Sequence, residues 1–443
     1  MRVFRWLYPG IGIKRWLILF TLGMVLLGFG VGIVLDTGTL RKVEALAVSL
    51  MGHDDQPADT RAGIMLAVIG FGFTFVALNA LVRSVYQATV PRGESLGRVL
   101  LGRRQLERGP KIVAVGGGSG LSVLLRGLKE YTDNVTALVT VSDDGGSSGR
   151  LRQELGILPP GDIRNCLLAM ADTEPLMQKL FEYRFKEGGG LRGHNFGNLF
   201  IAAMTDITGD FEEAVRQSSK VLAVRGRVLP ITLDNVRLCA ELDDGSVVTG
   251  ETRISASGSG IKRVYLEPED STPLPEALNA IKEADAIVLG PGSLYTSVLS
   301  TLSVPKISQA IAEAPAVKIY VCNVMTQPGE TSGYTLERHV QAVLEHAGTK
   351  SVDVVLHNSQ RVPEEIADRY RAEGSEPVEG SVYKIQQMGL DMVAEDLLSW
   401  DGYIRHSSER LAKSIIRIIL KHRGHVLRKR VLEMYWLPDW LKG

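Results

Sequence analysis

The stretch VSDDGGSSGRLR, residues 141–152, sets two carboxylates, Asp143 and Asp144, ahead of a run of glycines and hydroxyls that ends in the cation of Arg150. Adjacent carboxylates at the C-terminal end of a strand can take a Mg²⁺ ion together with phosphate oxygens, or a ribose hydroxyl. Ser147 and Ser148 add hydroxyl donors beside them. The plainer reading is an Asx turn that caps the next element. Upstream, IVAVGGGSGLSVLLRGL, residues 112–128, passes from an apolar run through Gly116, Gly117, Gly118, Ser119 and Gly120 into a helical pattern. Without Cβ atoms, such a loop brings backbone N–H groups up to phosphate oxygens, and the helix N-terminus adds partial positive charge. The loop is not G-x-G-x-x-G. Counted from Gly116 the last position is Leu121, counted from Gly118 it is Val123, and no lysine follows Gly120. The nicotinamide and P-loop readings lose weight accordingly.

Four further stretches carry similar chemistry. PPGDIRN, 159–165, offers Asp162, Arg164 and Asn165 after a proline turn. Arg164 can fork onto a phosphate, while the plainer reading makes Asp162 an N-cap. LRGHNFGN, 191–198, brings His194, Asn195 and Asn198 together between glycines. GPGSLYTS, 290–297, repeats the strand–glycine–hydroxyl pattern with Gly290, Gly292, Ser293, Tyr295, Thr296 and Ser297. NVMTQPGET, 323–331, supplies Asn323, Thr326, Gln327 and Glu330, polar groups suited to a base or sugar edge. A lone histidine such as His194 is more often structural than catalytic, and no clear nucleophile–base pair emerges from these stretches.

Elements must gather these loops. From Lys111 onward short apolar runs alternate with amphipathic stretches, which predicts strands at 112–115, 137–141, 228–232, 236–241, 286–289, 318–321 and 353–356. That rhythm argues for an α/β protein with a doubly wound, mostly parallel sheet, whose strand-ending loops collect on one edge. Shorter alternating runs at 233–270, with an Asp-Asp-Gly turn at 243–245, predict a small antiparallel insertion. Lys+Arg and Asp+Glu number 50 each, so charge gives no argument for nucleic acid. Cys166, Cys239 and Cys322 lie too far apart in sequence for a zinc or disulfide spacing and read as buried apolar residues.

Two segments before Lys111 are uncharged and apolar, Trp16–Leu35 and Ala62–Val82. Each is long enough to cross a hydrocarbon layer of about 30 Å. Basic residues flank the pair (Arg2, Arg5, Lys14 and Arg15 before it, Arg83, Arg92 and Arg98 after it), while the connecting loop is acidic, which predicts both termini and the α/β domain in the cytoplasm. Neither span holds an ionisable residue, so anchoring in the lipid bilayer reads better than transport. Gly28, Gly30 and Gly32 alternate rather than recurring every four, so no helix-pairing motif is assigned. The expected organisation is a two-helix transmembrane anchor at 1–83, a juxtamembrane linker at 84–110, the α/β domain at 111–400 and a basic amphipathic helical tail at 401–443. The tail reads either as a helix packed on the domain or as one lying on the inner leaflet.

Taken in order, GGGSGLSVLLRGLK, TVSDDGGSSGRLR, PPGDIRNCL, GHNFGNL, GPGSLYTS and NVMTQPGET resemble the YvcK branch of the YvcK/CofD-like family, from about Lys111 to about residue 360. The resemblance implies a Rossmann-like fold and binding of UDP-sugars, notably UDP-N-acetylglucosamine. It also implies a link to gluconeogenic growth, cell shape and peptidoglycan precursor supply. Its sister branch, 2-phospho-L-lactate transferase, works with Mg²⁺, and its acidic site matches Asp143–Asp144 here. Most members of the family lack a membrane hairpin. The expected function is therefore a membrane-anchored nucleotide-sugar-binding regulator, with Gly116–Gly120 and Arg164 on phosphates, Asp144 or a metal orienting them, and the later loops on sugar or uracil. A Mg²⁺-dependent phosphotransferase is the alternative. The reading leaves room for a regulatory protein partner and for a homo-oligomer.

Overall fold

The computed structural model describes residues 13–34, 60–89, 105–400 and 403–422. The chain divides into two units, Met1–Arg103 and Arg104–Gly443.

In the first unit, helix α1 (Ile13–Val34) packs along helix α2 (Thr60–Thr89). The contact is set by glycines with a period of seven, Gly23 and Gly30 on α1 and Gly63 and Gly70 on α2. A Cβ at Gly23 would lie 2.6 Å from the Thr74 nitrogen, one at Gly63 would lie 2.8 Å from Ile33 Cγ2, and at Gly30 and Gly70 it would run into the backbones of Ala67 and Leu27. A period of seven keeps one stripe of each helix facing the other, as in left-handed packing. The pairing signal was thus spread over both helices, where a search for repeats of four within one span does not find it. The remaining surface is mostly apolar and exposed, with Ile18 at 70% and Phe71 at 62%. Such a surface needs a cover, and Arg15–Val34 and Gly63–Ser84 are long and apolar enough to cross a membrane.

The second unit is built on a seven-stranded sheet. Its strands are β1 (Ile112–Gly116), β2 (Val135–Val139), β3 (Arg227–Pro230), β7 (Ala286–Leu289), β8 (Val317–Val321), β9 (Val354–Asn358) and β10 (Asp391–Glu395), in the order β10-β9-β8-β7-β1-β2-β3. Every neighbouring pair is parallel. The central strands read as continuous apolar runs because helices cover both faces, and β1, β2, β7 and β8 are buried throughout. A separate antiparallel sheet, β4 (Arg237–Leu242), β5 (Val247–Thr249) and β6 (Ile261–Glu267), forms the expected insertion, in the order β5-β4-β6.

Three differences from the sequence reading have physical causes. Strand β2 lies at 135–139, not 137–141, and the buried Val141 belongs to the loop beyond it. Strands β6 and β10 escaped detection because charged residues occupy their solvent side or ends, Lys262, Arg263 and Glu267 in one and Asp391 and Glu395 in the other. The described part of the tail belongs to the α/β unit. Helix α9 (Ser408–His422) buries Leu411, Ile415, Ile418 and Ile419 in the main core. Its apolar face is therefore occupied by protein, which leaves none to lie on a leaflet. Helix α3 (Gly118–Leu128) receives it through Gly127, whose missing side chain admits the Ser408 carbonyl and Ala412. On the polar side Arg417 pairs with Glu395 at 2.7 Å and Arg410 with Asp396 at 2.5 Å. Residues 423–443 lie outside the described residues.

Candidate functional site

The chain leaves β1 toward β2 on one side and β7 toward β8 on the other, so a crevice opens between the C-terminal ends of these two adjacent strands. That is the topological switch point at which open parallel sheets hold ligands. A cavity of about 400 Å³ lies there, lined by Gly117, Gly118, Ser119 and Gly120 on one wall and Pro291, Gly292, Ser293 and Ser297 on the other. Residues 323–328 continue the second wall, and Tyr370, Glu373, Ser375, Ile404, Arg405 and His406 complete the lining.

The first wall is the N-terminus of α3. Gly118 has φ of 65°, a left-handed conformation that favours glycine. The two glycine loops touch, since a Cβ at Gly120 would lie 2.7 Å from the Pro291 carbonyl oxygen. Side-chain bonds hold the second wall rigid. Asn323 Nδ2 donates to the Gly292 carbonyl at 2.7 Å, and its Oδ1 accepts from the Gly292 N–H at 3.2 Å. Ser293 Oγ donates to Gln327 Oε1 at 2.7 Å, and Thr326 Oγ1 accepts from the Glu376 N–H at 2.8 Å. Beneath them lies Glu330, 3% exposed. It accepts from Thr296 Oγ1 at 2.9 Å, Gln327 Nε2 at 3.0 Å, Ser255 Oγ at 3.2 Å and the N–H groups of Tyr295 and Thr296. Burial raises its pKa, and those hydrogen bonds work against the rise.

Tyr295 and Thr296 therefore sit under the crevice, not in it. Tyr295 is fully buried and its hydroxyl meets Tyr334 Oη at 2.9 Å and the Ile261 carbonyl at 3.1 Å. Gly116 ends β1 and Gly290 directly follows β7, and neither lines the cavity.

The remaining residues singled out from the sequence gather in a second cluster, joined to the crevice by Asp162. The Asp162 carboxylate accepts the N–H of Gly118 and so caps α3 from another element. It lies against Gly117, where a Cβ would collide with Oδ2. Burial, then the negative charge of Asp143, pushes its pKa up to about 7. Glu251 opens the short helix α7 (Glu251–Ala256) and has its pKa pushed up to about 9, by burial first and then by Asp143 and Asp162. Its Oε2 is buried and has no hydrogen-bond partner. Asp143 Oδ1 accepts from the Gly145 N–H at 2.9 Å, an Asx turn, and Asp144 Oδ1 accepts from Thr252 N–H at 3.0 Å and Thr252 Oγ1 at 2.8 Å, capping α7. Each aspartate thus spends an oxygen on the backbone, and among the described residues no three of His, Cys, Asp and Glu converge to hold a metal ion.

Ser147, Ser148, His194 and Asn198 brace one another. Ser147 Oγ and His194 Nδ1 are 3.1 Å apart, the Asn195 N–H donates to Ser147 Oγ at 3.2 Å, and Asn198 Nδ2 reaches Ser148 Oγ at 3.5 Å. Burial, reinforced by Arg150, lowers the His194 pKa. Arg150 donates to the Arg192 carbonyl at 2.9 Å and Arg164 to Asn165 Oδ1 at 2.5 Å, while the buried Nε of Arg164 has no partner.

The sequence reading missed Glu251 and the lining residues from 370 to 406. Arg405 is the one Lys or Arg among the described residues lining the cavity. Nothing local in the sequence sets it apart from the other basic residues of the tail, and the packing of α9 on α3 carries it to the glycine loops. The three cysteines are free and buried, as expected.

Residues 112–398 match the family model described as 2-phospho-L-lactate transferase CofD. The chain is 52% identical over 311 residues to the gluconeogenesis factor of Bacillus subtilis, covering 70% of this chain and 98% of that one. A Clostridium acetobutylicum protein provisionally given the same name is 42% identical over 454 residues, spanning 100% of this chain and 97% of its own. The segment ahead of Lys111 is therefore shared with that relative. A crystal structure of a Bacillus halodurans protein superposes with a TM-score of 0.68 at 48% identity, covering 70% of this chain and 99% of that one.

Proposed function

The chain belongs to the CofD-like family, and from that premise we propose that it binds a nucleotide sugar of the UDP-N-acetylglucosamine type without turning it over. It acts as a regulator of cell-wall precursor supply, carbon metabolism and cell shape, held at the inner membrane surface by its hairpin. The names of its relatives, gluconeogenesis factors, agree with a metabolic role. One observation carries the binding reading. The crevice pairs the N-terminus of α3 with Arg405, both suited to a diphosphate, and lines its far wall with the amide and hydroxyl groups of Asn323, Thr326 and Gln327, suited to a sugar or base edge. The glycine loops offer N–H groups, of which the Gly118 N–H is already held by Asp162.

The test is calorimetric titration of residues 104–443 with UDP-N-acetylglucosamine, with and without Mg²⁺, beside GDP and NAD. Saturable binding of the UDP-sugar is expected, weakened about tenfold or more in Arg405→Ala, since a charge-assisted contact contributes roughly 1.5–3 kcal/mol. Failure to bind the UDP-sugar sinks the proposal.

A Mg²⁺-dependent phosphotransferase is the second reading. It is favoured by the description of the matching family model and by the electrostatic coupling of Asp143, Asp162 and Glu251. Mg²⁺-dependent binding of GDP in the same titration would select it.

A further inference from the structure

The hairpin leaves a polar group facing outward where the membrane reading surrounds it with hydrocarbon. Helix α2 meets α1 along the stripe of Gly63, Gly70 and Ala77. At about 100° per residue, Asn79 stands about 180° from Gly70, on the opposite face. Asn79 is exposed, and Nδ2 donates to the Phe75 carbonyl at 3.1 Å. That bond uses one amide hydrogen. The second hydrogen and Oδ1 have no partner among the described residues. Gly72, two turns earlier on this face, meets nothing within 4 Å, so a neighbouring backbone has room to approach. The candidate span runs from Gly63 to Ser84. Asn79 then lies about 8 Å from its middle, inside a half-thickness of about 15 Å.

An amide at that depth has no water to bond to, and polar groups in spans turn toward protein partners. The carboxamide is also self-complementary, because it offers both a donor and an acceptor. Two copies related by a two-fold axis satisfy both at once, each amide donating to and accepting from its twin.

We propose that the outward face of α2, carrying Gly72 and Asn79, pairs with the same face of a second copy of this chain inside the bilayer, with the two Asn79 amides bonded to each other. The proposal rests on the membrane reading of the hairpin.

The test uses the full chain in cell membranes. Cysteine is placed at Val76, on the proposed face, or at Leu78, off it, positions that are 52% and 51% exposed. The three native cysteines are buried and give little background. Copper-phenanthroline oxidation should convert the Val76→Cys chain to disulfide-linked dimer and leave the Leu78→Cys chain mostly monomeric. Adding Asn79→Leu to Val76→Cys should lower the dimer fraction by about three- to tenfold, the range expected for an interhelical amide bond in lipid. Equal cross-linking at 76 and 78, or no effect of Asn79→Leu, overturns the proposal while leaving the membrane reading standing. Carbonate extraction run in parallel separates the two, because release of the wild-type chain by carbonate would remove the membrane reading and this pairing with it.

Discussion

At the residue scale, the buried carboxyl of Asp162 links the stability of the fold to pH. Unfolded, an aspartate titrates near 3.9. Folded, this one titrates at about 7. Between those values the native state binds more protons than the unfolded chain. The stability contributed by this carboxyl is therefore complete below about pH 4 and is lost as pH rises through about 7. Glu251 acts in the same direction over a wider window, up to about 9. Asp162→Asn keeps an oxygen for the Gly118 N–H and removes the titration. Its urea midpoint, compared with that of the wild-type fragment, should gain more at pH 8 than at pH 5. A difference that stays flat with pH would show that Asp162 is not buried against Asp143 in solution. The types of these residues were legible from sequence, and their division of labour was not. Asp143 and Asp144 look equivalent as neighbours, but one closes an Asx turn and the other caps a helix more than a hundred positions away in sequence. Such a partner has no local signature.

At the element scale, α9 shows how far a periodic pattern can be read. The apolar residues Leu411, Ile415, Ile418 and Ile419 announce an amphipathic helix, yet an apolar stripe does not say whether protein or lipid will cover it. Gly127 settles the matter, because only a residue without a side chain lets the start of α9 press against α3. The consequence is energetic as well as topological, since α3 also forms the glycine wall of the crevice. Ile415 is fully buried. Ile415→Ala should destabilise the fragment by about 2–5 kcal/mol, the usual cost of truncating a buried isoleucine. Chemical denaturation measures that loss directly. If Ile415→Ala cost less than about 1 kcal/mol, α9 would be a surface appendage, and the position of Arg405 at the crevice would lose its support.

At the scale of the whole molecule, the crevice draws on glycines near residue 118, a turn near 292, a loop near 325 and Arg405. Sequence reading recovered the first three because each directly follows a strand, and parallel strands deliver such loops to one edge. It did not recover the fourth, which follows no strand of the main sheet. All of these residues belong to the unit Arg104–Gly443, and none to Met1–Arg103. Binding and anchoring should therefore separate cleanly. A fragment of residues 104–443 should bind the UDP-sugar within about twofold of the full chain, a difference of about 0.4 kcal/mol. It should also stay in the supernatant on ultracentrifugation, while the full chain sediments with membranes until detergent is added. A tenfold weaker fragment would mean that the N-terminal unit contributes to the site, and the hairpin would then have a role in recognition as well as in placement.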